Sequence, residues 1–376
     1  MFRHLYIHIP YCVKKCPYCD FFSVEDDHRM GEFLDGLARE FALVAQQFGP
    51  LAEVETVFVG GGTPTYLPPK DVHHLGRLIR GHATLAPNCE WTLEANPEST
   101  TGDQIARFVG IGVNRVSVGV QSFDTGELMR LGRAHSGYHA RAAAETLTRA
   151  DLRSWSMDFL FGVAGQSMAT WKENVAEALD FHPPHLSAYA LTIEPGSRHA
   201  RDPIPERFCA EEELVVEQYR WLRETLVRAG YEHYEVSNYA KPGHRCRHNE
   251  AYWTRRPYLG LGPSAHSFDG RQRWWNVRNI DAYLDRLNGG ERPVAGCEVL
   301  DAEQIRHEVV MLSLRRSEGL RWSALPQDRQ RRLREGLPSL VKPGLVEVDD
   351  VGVRLTDEGW PLADAVISRV AALVSG

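Results

Sequence analysis

Tyr6-Ile-His-Ile-Pro-Tyr-Cys12-Val-Lys-Lys-Cys16-Pro-Tyr-Cys19 places three thiols within eight residues, directly after a short apolar stretch, Leu5 to Ile9, that reads as a strand. Thiolates favour iron–sulfur clusters, and a cubane has four irons, so three protein ligands leave one iron open to a further ligand. The spacing C-x3-C-x2-C differs from the C-x2-C pairs of zinc knuckles and from the C-x2-C-x2-C run of bacterial ferredoxins. The competing reading is a zinc site of three cysteines and His8. Cys12, Cys16 and Cys19 are the candidate metal ligands either way.

Outward from this motif, strand-like and helix-like stretches alternate. Further strands are expected at Thr56 to Val59, Trp91 to Ala95, Arg115 to Val120, Ser156 to Phe161 and Leu186 to Leu191, most of them dense in β-branched and aromatic residues. Between them, Met30, Phe33, Leu34, Leu37, Phe41 and Val44 follow the three-four spacing of one helix face, as do Val72, Leu75 and Ile79, and Trp171, Val175, Ala178 and Leu179. A long helix carrying Leu214, Val215, Leu222 and Leu226 ends at Gly230, a suitable left-handed cap. Such alternation implies parallel strands joined by right-handed crossovers. Six units fall short of the eight of a closed barrel, so the expectation is an α/β fold built as an open, partial (β/α)6 barrel. Its chemistry should collect at the C-terminal strand ends.

Past Tyr234 the texture changes. Tyr239 to Asn279 is rich in His, Arg, Trp, Tyr and Gly and reads as long, ordered loops. A helix resumes at Asp301 (Ile305, Val309, Leu312), followed by a charged helix around Arg331, a hairpin in which Val346 and Val348 face Val353 and Leu355, and a terminal helix. This end reads as a mainly helical, winged-helix-like module. The expected domains are a core over 1–235, connecting loops over 236–300 and the module over 301–376.

The whole chain has 376 residues, 43% hydrophobic and 25% charged, enough for one large domain with an appendage or for two ordinary ones. A net charge of -7 argues against general affinity for nucleic acid. Arg329, Arg331, Arg332 and Arg334 read as a solvated helix face. The N-terminus, interrupted by His and Arg, does not read as a signal peptide, and no apolar run approaches the roughly 20 residues that span a bilayer. Seven cysteines, three of them crowded together, do not make a secreted disulfide framework. The expectation is a cytoplasmic protein with reduced thiols and at most peripheral membrane association.

Several polar residues fall where strands end. Gly60-Gly61-Gly62-Thr63-Pro64 follows the second strand, and its N–H groups are expected to be free to receive a carboxylate. It lacks the Lys-Ser/Thr of a phosphate-binding loop. Glu94 closes the third strand and Gln121 the fourth; Arg133 follows in Leu-Gly-Arg133-Ala-His135, and Asp158 sits within the fifth. A lone polar residue in an apolar strand needs a partner when buried, which a structural hydrogen bond satisfies as well as a ligand does. Their grouping at strand ends points to ligand binding.

With Tyr18 just before the last cysteine, the motif resembles that of the radical S-adenosylmethionine (SAM) superfamily, whose fold is the partial (β/α)6 barrel. The resemblance implies a [4Fe–4S] cluster whose open iron takes the amino and carboxylate groups of SAM, and reductive cleavage of the sulfonium. The GGGTP stretch looks like that family's loop for the methionine amine. In order and spacing the segments are similar to the oxygen-independent coproporphyrinogen III oxidase-like branch. Carried over, Tyr6, Gly61 and Glu94 contact the cluster-bound SAM. Tyr18, Gly62, Thr63, Gln121, Arg133 and Asp158 match positions lining a further part of that pocket or a second SAM.

Those dehydrogenases carry another cysteine two residues after the third ligand, where this chain has Phe21. The chain instead resembles the HemW-type heme chaperone subgroup, in its YIHIP-x-C-x3-C-P-Y-C-D-F start and in His248-Asn249-Glu-Ala-Tyr252-Trp253 and Gly262-Pro-Ser-Ala-His266. Members are taken to bind heme and pass it to respiratory hemoproteins without decarboxylating porphyrinogen. Heme needs an axial ligand and an aromatic slot. His248, with Tyr252 and Trp253, is the candidate heme segment, Trp274 and Trp275 add aromatic surface, and Arg245, Arg247, Arg255 and Arg256 are candidate propionate partners. Two bland readings compete, an aromatic loop that packs and a histidine that is a plain hydrogen-bonding group. The alternative function is coproporphyrinogen III dehydrogenation.

Overall fold

The computed structural model describes residues 2–26 and 29–375. The alternation expected from the sequence is observed: β1 His4–Ile9, α1 Met30–Phe48, β2 Leu51–Gly61, α2 Pro69–His82, β3 Ala83–Ala95, α3 Gly102–Gly110, β4 Arg115–Gln121, α4 Thr125–Arg130, α5 Gly137–Arg149, β5 Ser154–Phe161, α6 Met168–Asp180 and β6 His185–Ala190. Strands β1 to β6 lie side by side in chain order, each parallel to the next. The sheet is open, as a six-unit barrel must be.

Register explains how one sheet serves both core and site. Side chains alternate across a strand, so paired rows share a face. On one face Leu5, Ile7, Val57, Val59, Trp91, Leu93, Val116, Val118, Met157 and Phe159 are buried. The helices supply the other half of that core: Phe33, Leu34, Leu37, Phe41 and Val44 of α1, and Val72, Leu75 and Ile79 of α2. The opposite face is polar. Glu94 pairs in register with Ser117, Ser117 with Ser156 and Ser156 with His185. Ser156 and His185 are buried and Glu94 and Ser117 half-buried, so these polar groups find their partners inside.

The chain divides into two compact units, Met1–Val215 with Pro257–Glu298, and Val216–Arg256 with Val299–Gly376. The stretch 239–279, expected as loops, holds strands. Tyr258–Leu261 runs parallel to β1 on its free side, with Leu5 opposite Leu259 and Ile7 opposite Leu261. His266–Phe268 and Gln272–Asn276 continue antiparallel from it. Periodicity could not reveal this strand, because Tyr-Leu-Gly-Leu-Gly has too few residues to alternate and its partner lies some 250 positions earlier. A buried knot secures it: Glu40 of α1 accepts from Gly262 N at 2.8 Å, Asn276 Nδ2 at 2.6 Å and the Tyr283 hydroxyl at 2.7 Å.

In the second unit, the helix Glu212–Arg228 is followed by Gly230 at φ 81°, as its cap requires. Asp301 and Gln304 form a reciprocal cap on Ala302–Leu314. The expected hairpin pairs Val346 with Leu355 and Val348 with Val353, and Leu320–Arg321 adds a third strand, completing the winged-helix-like module with its helices. Among the described residues no helix is long and apolar enough to cross a membrane.

Candidate functional site

The thiols sit on a loop leaving β1 at its C-terminal end, where the barrel rule places chemistry. Cys12 N donates to Val24 O at 2.9 Å, Val24 N to Pro10 O at 2.8 Å and Cys19 N to Cys16 O at 3.1 Å, folding the loop back on itself. None of the seven cysteines forms a disulfide. Burial raises the Cys12 thiol and pushes Cys19 up to about 11, with the neighbouring thiols adding to the effect. A cationic centre such as a cluster iron favours the ionised form of thiols raised in this way.

Two donors already point at the sulfurs. Thr63 Oγ1 donates to Cys12 Sγ at 3.5 Å and Arg133 Nη1 to Cys16 Sγ at 3.4 Å. Both suit anionic thiolates. The zinc reading fails on His8. Its Nδ1 accepts from the Tyr6 hydroxyl at 3.0 Å and its Nε2 donates to Phe22 O at 2.7 Å, so neither nitrogen is left for a metal. Burial lowers His8 to about 4, which keeps the ring neutral in this relay. Among the described residues no group of three His, Cys, Asp or Glu is placed to hold a single metal ion. A cluster, by contrast, takes its thiolates at separate corners. The three cysteines fit a [4Fe–4S] cluster.

Sequence reasoning weighed His8 only as a zinc ligand and missed its place between Tyr6 and Phe22 O. Its signal was present as Tyr6 and His8 two apart on one strand face, but its partner, Phe22 O, lies beyond the cysteines.

The glycine loop corrects an expectation. Gly61 N donates to Glu94 Oε2 at 2.9 Å, Gly62 N to Ile9 O at 2.7 Å and Thr63 N to Tyr11 O at 2.7 Å. None of these N–H groups is free for a carboxylate. Glycine is needed at Gly62 for another reason: a Cβ there would collide with Tyr11 O and stand 2.8 Å from Ile9 O. The loop is pressed against the exit of β1 and brings Thr63 onto Cys12.

What remains beside the loop suits an amine. Burial raises the Glu94 carboxyl to about 7, with Asp158 nearby adding to the effect and the Gly61 N–H only partly offsetting it. Such a carboxylate is stabilised by accepting N–H hydrogen bonds from an incoming amine. Asp158 is caged by hydroxyls, with Ser117 Oγ at 2.7 Å from Oδ2 and Ser156 Oγ at 3.0 Å from Oδ1; burial raises it and these hydroxyls with Ser187 oppose the shift. The serines and His185, whose Nδ1 lies 2.8 Å from Ser156 Oγ, read in the sequence as ordinary strand residues.

Gln121 sits at φ 64° where the β4–β5 register breaks, a strained left-handed position for a side chain. A Cβ on Gly119 would stand 2.9 Å from Gln121 Nε2, so that glycine makes room for it. Arg133 ties the segments together: Nη2 donates to Asn96 Oδ1 at 2.7 Å and Gly119 O at 3.0 Å, Nη1 to Tyr18 OH at 3.4 Å and Nε to His135 Nδ1 at 3.4 Å. Burial works against its charge, but Tyr18, Cys16 and Glu98 outweigh that and hold it above its ordinary value. Tyr6, Tyr18, Gly61, Thr63, Glu94, Gln121, Arg133 and Asp158 therefore belong to the one polar face and its strand-end rim.

The candidate heme segment lies in the second unit. His248 and Tyr252 are one turn apart on the helix Arg247–Trp253; His248 is fully buried, with Nε2 2.9 Å from the Tyr252 hydroxyl. Tyr252 and Trp253 are half-buried. Two candidate propionate partners have carboxylates of their own: Arg245 bonds Glu232 and Glu318, and Arg255 bonds Glu308 at 2.6 Å. Trp274, in the first unit, stacks on Phe48 at 5.6 Å as part of a packed aromatic cluster.

The family model of the radical SAM superfamily matches residues 6–178, and that of the HemN C-terminal domain matches residues 300–362. The heme chaperone HemW of Mycobacterium tuberculosis (strain ATCC 25618 / H37Rv) is 35% identical over 368 residues, covering 96% of this chain and 93% of that protein. The heme chaperone HemW of Escherichia coli (strain K12) is 39% identical over 269 residues, 70% of this chain and 69% of that one. The solved coproporphyrinogen III oxidase HemN from Escherichia coli, a radical SAM enzyme, superposes with a TM-score of 0.84 at 22% identity, covering 98% of this chain and 89% of that one; the likeness is one of fold.

Proposed function

Because the chain belongs to the heme chaperone HemW family of radical SAM proteins, we propose that it binds heme and hands it to acceptor hemoproteins, respiratory ones among them, with a [4Fe–4S] cluster and SAM as resident cofactors. Near-full-length similarity to heme chaperones supports this. The observation that carries it is Phe21, 63% exposed, where the resembled dehydrogenases have a further cysteine.

Cys12, Cys16 and Cys19 hold the cluster. When bound, cluster and SAM together would supply one-electron reductive cleavage of the sulfonium. Glu94 pairs with the methionine amine, Thr63 and Arg133 direct donors at the thiolates, and Tyr6 through His8 braces the loop against β1. Gln121, Arg133 and Asp158 line the remaining pocket. We assign the cargo to the segment of His248, Tyr252 and Trp253. The Tyr252 hydroxyl covers Nε2 of His248, so iron reaching that nitrogen displaces a hydrogen bond.

Anaerobic, cluster-reconstituted protein should be titrated with hemin and, separately, given coproporphyrinogen and SAM. A shifted Soret band without porphyrinogen turnover is the expected result. Protoporphyrinogen formation would replace the chaperone reading with the dehydrogenase one.

A further inference from the structure

Asn96 follows the third strand in Glu94-Ala-Asn96-Pro97 and contacts none of the thiols, yet it joins the two donors that do. Its Nδ2 donates to Thr63 Oγ1 at 2.8 Å, and its Oδ1 accepts from Arg133 Nη2 at 2.7 Å. The Thr63 hydroxyl in turn donates a hydrogen bond to Cys12 Sγ at 3.5 Å and Arg133 donates one to Cys16 Sγ at 3.4 Å. The result is a continuous chain of hydrogen bonds from one thiol to the other through a single amide.

The direction of each bond follows from Asn96. A threonine hydroxyl has one proton. By occupying its oxygen as a donor, the Asn96 amide NH2 leaves that proton to Cys12. A guanidinium has five N–H groups in a rigid fork. With Nη2 held by Asn96 and Gly119 O, and Nε by His135, Nη1 is aimed at Cys16 and Tyr18. The backbone at Asn96 is itself held: Thr100 Oγ1 donates to the Asn96 backbone carbonyl at 2.8 Å, and Ser99 N does so at 3.1 Å.

Hydrogen bonds and positive charge at cluster sulfurs favour the reduced, more negative state and raise the reduction potential. We propose that Asn96 is a positioning residue that tunes the potential of the cluster, by orienting Thr63 on Cys12 and Arg133 on Cys16. The proposal rests on the cluster assignment above and is independent of heme.

The test is an anaerobic redox titration of the cluster-reconstituted chain, without heme or SAM, followed by electron paramagnetic resonance. Asn96→Ala should lower the midpoint. At the wild-type midpoint the ratio of reduced to oxidised cluster should fall about tenfold, about 59 mV for one electron. Asn96→Asp, nearly isosteric, should lower it further, because a carboxylate draws the Thr63 proton away from Cys12. Thr63→Val should lower it by less, and Asn96→Ala should shift it less in the Thr63→Val background than alone, since the two act on a shared bond.

Unchanged midpoints in both Asn96 variants, at full iron content, would overturn the proposal. So would loss of the cluster from both with the fold intact by circular dichroism, since Asn96 would then be a prop of the loop. Failure of hemin to bind would leave these potentials untouched and would count only against the chaperone reading.

Discussion

The cysteine cradle of residues 6–24 and the helix Arg247–Trp253 both concentrate metal-binding side chains, but they satisfy them differently. Around the thiols, Thr63 and Arg133 donate to sulfur and Glu94 waits as a buried carboxylate with one backbone donor. At His248, Nε2 already has the Tyr252 hydroxyl, and the ring is sealed from solvent. The first region is built for an ion it cannot complete by itself. The second is complete until something displaces a bond. Ligand binding should therefore be insensitive to local opening at the first and governed by it at the second.

The largest effect breaks the cradle outright. Cys16→Ala should abolish the visible thiolate-to-iron absorbance of anaerobically reconstituted protein, whereas Cys297→Ala, on an exposed residue, should leave it whole. A full cluster in Cys16→Ala would remove the basis for the cradle.

Next is Glu94. A hydrogen bond to a charged group is worth about 1.5–3 kcal/mol. Glu94→Gln should therefore weaken SAM binding at least about tenfold by isothermal titration, at about tenfold per 1.4 kcal/mol. The pH profile sharpens the point. Glu94 is raised to about 7, so SAM affinity should rise as pH climbs through 7 and the carboxylate ionises. The stability of the unliganded protein runs the other way. A carboxyl raised by folding contributes below its unfolded value and loses that contribution as pH rises towards 7. Affinity flat between pH 6 and 8 would separate Glu94 from the amine.

Gly62→Ala forces a methyl against Tyr11 O and Ile9 O. Urea unfolding should show a loss of about 1–3 kcal/mol. Gly31→Ala, with open space around it, should not. The smallest effect lies in the second region. Tyr252→Phe frees His248 Nε2 from a bond worth about 1 kcal/mol, so hemin should bind about fivefold more tightly, while His248→Ala should weaken binding. Tighter binding to His248→Ala would move the cargo elsewhere.

Local signals carried much of this architecture. The α1 positions Phe33, Leu34, Leu37, Phe41 and Val44, read from three-four spacing, are all buried on one face. The hairpin register at Val346 and Val348 was equally legible. The strand Tyr258–Leu261 was not, since a short glycine-rich stretch becomes a strand only by pairing with β1. The glycine loop was legible as a site and misread in detail. Its N–H groups find Ile9 O, Tyr11 O and Glu94, none of which is near in sequence.

From the chain alone came the cysteine spacing, the strand–helix alternation and the polar residues at strand ends, because each depends on neighbours within a few positions. The pairing of His8 with Phe22 O, the hydroxyl cage of Asp158 and the link from Thr63 through Asn96 to Arg133 were decided by the fold. A hydrogen bond is fixed by distance and direction in space, and in the last two cases parallel strands bring together residues tens of positions apart.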